Sequence, residues 1–323
     1  MIEQIVSVDL PVDEQMRIQK VHFAPASPRP GMRRLCVVTA THGDELEGQY
    51  VCYELERRIR SHPELLAGVV DVYPALNPLG VDSITRGVPG FDLDMNRIFP
   101  GSVDGDMNEY IAAQIIEDIS GSDLALDIHA SNIYLTEIPQ IRINEISAQR
   151  LVPLAQKANV DFVWVHGAST VLESTLAYSL NSWGVDTLVV EMGVGMRITR
   201  SYGEQLTDGI FNLMRELGIW TGEVQTTHTP IVSSIPDEVE FLNAPVSGVF
   251  VKSVSHGALL KPGDEIGLIV DPLQGKVLDR VVSPCEGWLF TVREYPMVDQ
   301  GSLMARILKG HMEEAARKGG AAR

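Results

Sequence analysis

Two histidines and a glutamate stand where predicted strands end. His42 and Glu45 come directly after the apolar run 34–40, and His129 closes the run 124–129. In an open sheet of parallel strands, ligands bind at the carboxyl ends of the strands, so these three side chains can converge. A short-spaced pair with one distant residue is how many catalytic zinc sites are built, with the fourth position left to water. The sequence therefore predicts a zinc site at this end of a sheet.

Each of these signals also has an ordinary structural interpretation when it stands alone. A His-x-x-Glu pair is typical of a solvated turn, and a histidine at a strand end usually bonds to backbone groups. Asp127 lies two residues before His129, so both side chains point to the same face of a strand. Asp127 is thus a candidate for the carboxylate that orients the imidazole of His129.

A second group of polar residues occupies loops and a strand end further along the chain. The polar run 92–101 encloses Asn96 and Arg97, and Arg86 precedes it in the same Gly- and Pro-rich loop. A guanidinium beside an amide is suited to binding a carboxylate or a carbonyl group. Glu191 ends the almost uninterrupted apolar strand 187–191. A buried charge is costly, so a glutamate at this position suggests a functional role. A carboxylate buried near an activated water is a natural general base.

Alternating strand-like and helix-like segments must position these residues. Strands are predicted at residues 34–40, 69–73, 124–129, 162–165 and 187–191, and helices at residues 46–60, 108–119 and 202–217. This alternation predicts an α/β fold with a mainly parallel sheet and helices on both faces.

The character of the sequence changes after residue 225. Residues 226–236 are rich in Thr, Ser and Pro, which suits a linker. Residues 238–308 are short β-branched runs separated by turn signals. We therefore expect a catalytic domain over residues 1–225 and a small β domain, similar to the barrel-sandwich fold of biotinyl and lipoyl carriers, over 226–310. A flexible tail is expected over 311–323.

Composition narrows the class of protein. The 323 residues include 43 acidic and 26 basic side chains, which gives a net charge of −17. That balance argues against nucleic acid and against an anionic membrane surface as partners. No apolar run approaches the roughly 20 residues of a membrane span, and the N-terminus lacks the pattern of a signal peptide. The three cysteines are expected to be buried thiols, and the protein to be cytoplasmic.

Four motifs in a fixed order resemble those of a known family. They are His42-Gly-Asp-Glu45, Asp94-Met-Asn96-Arg97-x-Phe-Pro-Gly, Asp127-Ile-His129 and Val190-Glu191-x-Gly. Together they resemble the succinylglutamate desuccinylase/aspartoacylase family, whose members are relatives of the zinc carboxypeptidases. The motifs extend over most of residues 30–220, and the β-rich region resembles the C-terminal β domain of that family.

The resemblance implies a role for each motif. One Zn²⁺ per chain would bind to His42, Glu45 and His129. Glu191 would take a proton from the attacking water and return it to the leaving amine. The resemblance further implies that Arg86 polarises the scissile carbonyl, and that Asn96 and Arg97 hold the carboxylate of the substrate.

The sequence departs from the aspartoacylase pattern at one position. Aspartoacylase-type proteins have a further arginine about ten residues before the catalytic glutamate, which reads the acidic side of the substrate. Here residues 180–184 contain no arginine. Arg142, which follows the strand of His129, is a candidate replacement, and its alternative interpretation is an exposed strand arginine.

The sequence therefore predicts a zinc-dependent amidohydrolase that removes an acyl group from a small N-acylated amino acid or related metabolite. Two alternatives stay open: a metallocarboxypeptidase acting on peptides, and a non-catalytic, zinc-stabilised binding protein. The β domain is expected either to form a wall of the cleft or to make the contact of a homo-oligomer.

Overall fold

A large mixed sheet organises the chain in a computed structural model that describes residues 1–167 and 173–319. The strands are β1 (Ile2–Leu10), β2 (Glu14–Phe23), β3 (Arg34–Thr39), β4 (Val69–Tyr73), β5 (Leu124–Ala130), β6 (Leu135–Asn144), β7 (Phe162–His166), β8 (Asp186–Gly193), β9 (Ile231–Ser233), β10 (Val239–Asn243), β11 (Gly248–Lys252), β12 (Leu259–Leu260), β13 (Glu265–Asp271), β14 (Lys276–Val282), β15 (Gly287–Arg293), β16 (Met297–Val298) and β17 (Leu303–Lys309). The helices are α1 (Glu47–Ser61), α2 (Pro78–Ser83), α3 (Met107–Ile119), α4 (Ala148–Ala155), α5 (Leu176–Ser182), α6 (Arg200–Glu216) and α7 (Met312–Gly319).

The central strands of this sheet are parallel and the flanking ones are antiparallel. The large sheet has the order β1-β2-β4-β3-β5-β8-β6-β15-β17-β10, and β7, β9 and β12 join it at the side. Strands β4, β3, β5 and β8 run parallel, as predicted. Strands β1 and β2 pair in the antiparallel sense, and β6 pairs antiparallel with β8 but parallel with β7, so the sheet is mixed around a parallel centre.

Helices cover both faces of the central strands, which confirms the predicted α/β fold. On one face, α1 and α6 contribute Leu55 and Leu206 to a core that also contains Leu188 and Val190 of β8. On the other face, α3 and α5 bury Ile115 and other apolar side chains. The parallel strands are therefore largely apolar, apart from the buried Asp71 in β4 and Asp127 in β5.

Strand β6 is the place where the C-terminal part of the chain joins the large sheet. Residues 140–144 pair with β7, whereas residues 135–137 pair with β15. A register shift between Glu137 and Gln140, where Pro139 lies, separates these two halves. Strands β15, β17 and β10 extend the large sheet beyond this junction, while β14, β13, β11 and β16 form a second sheet of four strands.

The segments predicted as linker and tail both contain regular structure. Within residues 226–236, β9 pairs with β7. Helix α7 occupies part of the predicted flexible tail and buries Ala315 against apolar residues of β15 and β17. Residues 320–323 of that tail lie outside the described part of the chain. No helix within the described ranges is long and apolar enough to cross a membrane.

Candidate metal centre and cavity

His42, Glu45 and His129 converge at the carboxyl ends of β3 and β5. His42 and Glu45 lie in the loop between β3 and α1, and His129 lies in β5. The Nδ1 atom of His42 is 2.7 Å from Oε1 of Glu45, and Nδ1 of His129 is 2.9 Å from Oε2 of the same carboxylate. All three side chains are buried, and one nitrogen or oxygen atom of each lies within 4.8 Å of the others. Two imidazoles and a carboxylate match the ligand sets of catalytic zinc sites.

A second carboxylate faces the outer nitrogen of each imidazole. Nε2 of His42 is 3.0 Å from Oδ1 of Asp94, and Nε2 of His129 is 3.2 Å from Oδ2 of Asp127. Carboxylates in this position fix the orientation of histidines that bind metals. Asp127 was predicted for this place. Asp94 was not assigned a role from the sequence, although it lies in the same polar run as Asn96.

The charged neighbours in this cluster shift the pKa values of His129 and Glu45. Burial alone would lower the pKa of His129, but the charges of Asp127 and Glu45 outweigh it and raise the pKa well above its ordinary value. Burial would raise the pKa of Glu45, yet the two histidines lower it. The carboxylates therefore favour the positively charged form of the imidazole of His129, and the histidines favour the ionised form of Glu45. This donor set therefore fits a divalent cation such as Zn²⁺, whose binding would displace protons from the imidazoles.

The loop that carries His42 packs very closely against α2. A Cβ atom on Gly43 would lie 2.0 Å from the carbonyl carbon of Gly80, which is backbone and has no room to yield. We expect Gly43→Ala to lower the free energy of unfolding by about 1–3 kcal/mol, because the loop must move away from α2. Thermal unfolding measures this loss. Gly167→Ala is the matched control, because its nearest neighbour would lie at 3.6 Å; equal melting temperatures for the two variants would contradict the expected crowding.

Arg86 reaches the same cluster from the loop after α2. Its Nη1 donates to Oε1 of Glu45 at 3.0 Å, and its Nη2 donates to Oδ2 of Asp94 at 3.2 Å. The loop is held in turn by the buried Asn77, whose Nδ2 donates to the carbonyl oxygens of Arg86 and Gly87. The side chain of Arg86 remains 40% exposed, so one side of the guanidinium is open to a ligand.

Asn96 and Arg97 lie in a single 3₁₀ turn that Asp94 caps. Oδ1 of Asn96 accepts from the backbone N–H of Leu176 at 2.9 Å, which ties this turn to the start of α5 and leaves Nδ2 as a donor. Arg97 donates from Nη1 to the carbonyl oxygen of Asn96 at 2.7 Å. The Arg97 side chain is 43% exposed, and its Nη1 is 3.9 Å from Asp94.

Glu191 lies in β8, directly beside His129 in the register of β5 and β8. Its Oε1 accepts from Nη1 of Arg142 at 3.2 Å. Burial raises the pKa of Glu191, and the positive charge of Arg142 opposes this effect. Arg142 also donates from Nη2 to both oxygens of Glu137, at 2.8 and 2.7 Å. The alternative interpretation of Arg142 as an exposed strand residue is therefore wrong.

All eight predicted site residues line one cavity of about 870 Å³. Sequence reasoning missed several other residues of its wall, among them Asn144, Arg150 and Arg306. Arg306 could have been identified from the sequence, because it is the charged residue inside the apolar run 303–308. The cavity accordingly brings together the metal-ligand set, the candidate base Glu191 and several arginines.

The catalytic domain of the succinylglutamate desuccinylases and aspartoacylases matches residues 31–217, more than half of the chain. The chain belongs to the succinylglutamate desuccinylase/aspartoacylase family. The matched region contains all four motifs and every predicted site residue, which confirms the resemblance stated from the sequence.

Individual relatives agree with this membership. A protein of Halomonas elongata, the N-alpha-acetyl-L-2,4-diaminobutyric acid deacetylase, is 28% identical over 271 residues, which are 82% of this chain and 75% of the relative. A succinylglutamate desuccinylase structure from Silicibacter sp. TM1040 has a TM-score of 0.80 at 21% identity, with 95% of this chain and 94% of the other covered. The product-bound ectoine utilization protein EutE (DoeB) from Ruegeria pomeroyi has a TM-score of 0.76 at 20% identity, with 92% and 90% covered. The family fold thus includes the C-terminal β-rich region.

Proposed function

We propose that this protein is a zinc-dependent amidohydrolase that removes an acyl group from a small N-acylated amino acid or related metabolite. The observation that carries the proposal is the convergence of His42, Glu45 and His129 with Glu191 in one cavity. Bound there, Zn²⁺ would polarise the amide carbonyl and make a water molecule more acidic.

Glu191 and Arg86 would supply the proton transfer and the stabilisation of negative charge. In this proposal Glu191 accepts a proton from the attacking water and passes it to the leaving nitrogen. Burial raises the pKa of Glu191, which makes it a stronger base toward the water than an exposed carboxylate. Arg86, fixed by Glu45 and Asp94, is a preorganised donor for the carbonyl oxygen as negative charge develops on it.

The distribution of charge supports a substrate that carries a carboxylate. Five arginines line the cavity: Arg86, Arg97, Arg142, Arg150 and Arg306. Four of them contact a carboxylate at 3.2 Å or less, whereas Arg97 is 3.9 Å from its nearest one. Arg97, with the amide of Asn96 beside it, is therefore the guanidinium most available to a substrate carboxylate.

The Halomonas relative suggests the acyl group and the amine. Its name describes removal of acetyl from the α-nitrogen of a diamino acid. We therefore favour an Nα-acetylated amino acid as the substrate of this protein.

A substrate panel with metal control tests the proposal. Amine release would be measured from N-acetyl, N-succinyl, N-formyl and longer-chain N-acyl amino acids, including Nα-acetyl-2,4-diaminobutyrate, with and without a chelator. One preferred substrate, lost with chelator and restored by zinc, is the expected result. Release of C-terminal residues from peptides would favour a metallocarboxypeptidase instead. Stoichiometric zinc with no turnover of either class would favour a binding protein.

Arg97→Ala is expected to raise KM about 10- to 100-fold for N-acyl amino acids, because a hydrogen bond to a charged group contributes about 1.5–3 kcal/mol. The kcat value should change by no more than a few-fold. Steady-state kinetics on the preferred substrate and on the matching N-acyl amine, which lacks the carboxylate, separate the effect. Arg60→Ala, an exposed change on α1, is the control. An equal rise in KM for both substrates would show that Arg97 does not bind the carboxylate.

A further inference from the structure

Glu137 is a fully buried carboxylate that the proposed reaction does not use. It accepts hydrogen bonds from Arg142 and also from Nη1 of Arg306 at 2.6 Å and Oγ1 of Thr291 at 3.0 Å. Its exposed fraction is 0%. A buried charge is costly unless it is paired and hydrogen-bonded, so this degree of pairing indicates a fixed part of the structure.

The bulge in β6 places Glu137 beside Arg142. Residues five apart on a regular strand point to opposite faces. The register shift between Glu137 and Gln140 inserts one residue into β6 relative to β8, which returns both side chains to the same face. Bulges beside active sites commonly redirect a side chain in this way. As a result, Glu191, Arg142, Glu137 and Arg306 form a row of alternating charge.

The guanidinium of Arg142 has no free pair of donors for a substrate. Nη2 is bonded to both oxygens of Glu137, and Nη1 is bonded to Glu191. Two N–H groups remain, one at Nη1 and one at Nε, and they lie on different edges of the guanidinium, so they cannot act as a fork. Nε is buried and has no partner within the described ranges. A bidentate grip on a substrate carboxylate would require Arg142 to leave one of its two carboxylates unpaired.

We infer that Arg142 is a positioning residue, which holds the carboxylate of Glu191 toward the metal centre and is itself fixed through Glu137 by Arg306 and Thr291 of the C-terminal strands. The inference rests on the proposed role of Glu191 as the base. It also links the β-rich region to catalysis, because Thr291 of β15 and Arg306 of β17 both hydrogen-bond to Glu137.

The test separates positioning of the base from binding of substrate. Arg142→Gln is expected to lower kcat about 10²-fold with KM within threefold of wild type, because a misplacement of about 1 Å can cost that much. Arg142→Lys should recover part of this loss, since the ammonium group keeps the positive charge but lacks the planar fork that donates to Glu137 and Glu191 at the same time. Arg306→Gln should lower kcat by a smaller factor, about fivefold to tenfold, because it acts through Glu137. Zinc content should match wild type in all three variants.

Arg293→Gln is the matched control. Arg293 is a buried arginine of β15, but it donates to the carbonyl oxygens of Tyr295 and Met297 and forms neither a hydrogen bond nor an ion pair with Glu137. Its loss should affect stability and leave kcat unchanged. A rise in KM at constant kcat for Arg142→Gln would assign Arg142 to substrate binding and overturn the inference, as would unchanged values of both constants.

Crystal structures of the zinc-loaded wild type and Arg142→Gln supply a readout that does not need turnover. We expect the Glu191 carboxylate to move by about 1 Å or more, or to become disordered, when Arg142 is lost. An unmoved Glu191 would overturn the inference even if the enzyme is active. Absence of activity in the wild type would instead count against the proposed function, and the structures would still test the positioning. If Arg142→Gln does not fold, Arg142→Lys, which keeps the charge, takes its place in both experiments.

Discussion

Replacing Glu191 by glutamine is expected to lower kcat about 10²- to 10⁴-fold while zinc and substrate still bind. Glutamine has nearly the shape of glutamate, and its carbonyl oxygen can accept the hydrogen bond that Arg142 donates to Glu191. It cannot accept and return a proton at neutral pH. The measurements are kcat and KM on the preferred substrate and zinc content after dialysis.

Glu216→Gln provides the control for this change, because Glu216 is an exposed residue of α6 far along the chain from every site motif. Its kinetics should equal those of the wild type. Activity of Glu191→Gln within a few-fold of wild type would mean that Glu191 is not the base. Loss of zinc from the same variant would mean that Glu191 belongs to the ligand set.

His129→Ala is expected to abolish both stoichiometric zinc and activity. Two protein ligands rarely hold zinc tightly, and only His42 and Glu45 would remain. The change also removes a partner from the buried carboxylates of Glu45 and Asp127, so thermal stability should fall as well. Zinc per chain, measured by atomic absorption after dialysis, is the primary readout.

His129→Gln guards against a simple failure to fold, because glutamine keeps a hydrogen-bond donor for Glu45 but is a poor zinc ligand. It should fold and still lose zinc. His62→Ala, at an exposed position after α1, should retain both metal and activity. Full zinc occupancy in a folded His129 variant would refute the proposed ligand set.

Local sequence patterns predicted the elements that hold the metal ligands well. The observed β4 has the predicted bounds, and β3, β5, β8, α1, α3 and α6 agree within two residues of them. These segments are either largely apolar or amphipathic, and burial then decides their structure. The convergence of His42 with His129 followed from the same logic, because parallel strands present their carboxyl ends together.

Other features depend on contacts that no short segment contains. The hairpin β1–β2 mixes charged and apolar residues, because much of it is exposed. Strand β9 lies in a stretch whose Thr, Ser and Pro content is typical of a linker, and pairing with β7 overrides that composition. The contact of Glu137 with Arg306 joins residues 169 positions apart, and it depends on a bulge that only Pro139 hints at.

Strands from the C-terminal part of the chain cover the edges of β6 and β7. A fragment ending at residue 225 would lack β9 and β15, so both β7 and the first half of β6 would present unpaired backbone amides and carbonyls to solvent. Open, apolar strand edges of this kind recruit other chains and promote aggregation. The C-terminal strands therefore complete the edges of β6 and β7, and we expect a fragment of residues 1–225 to aggregate.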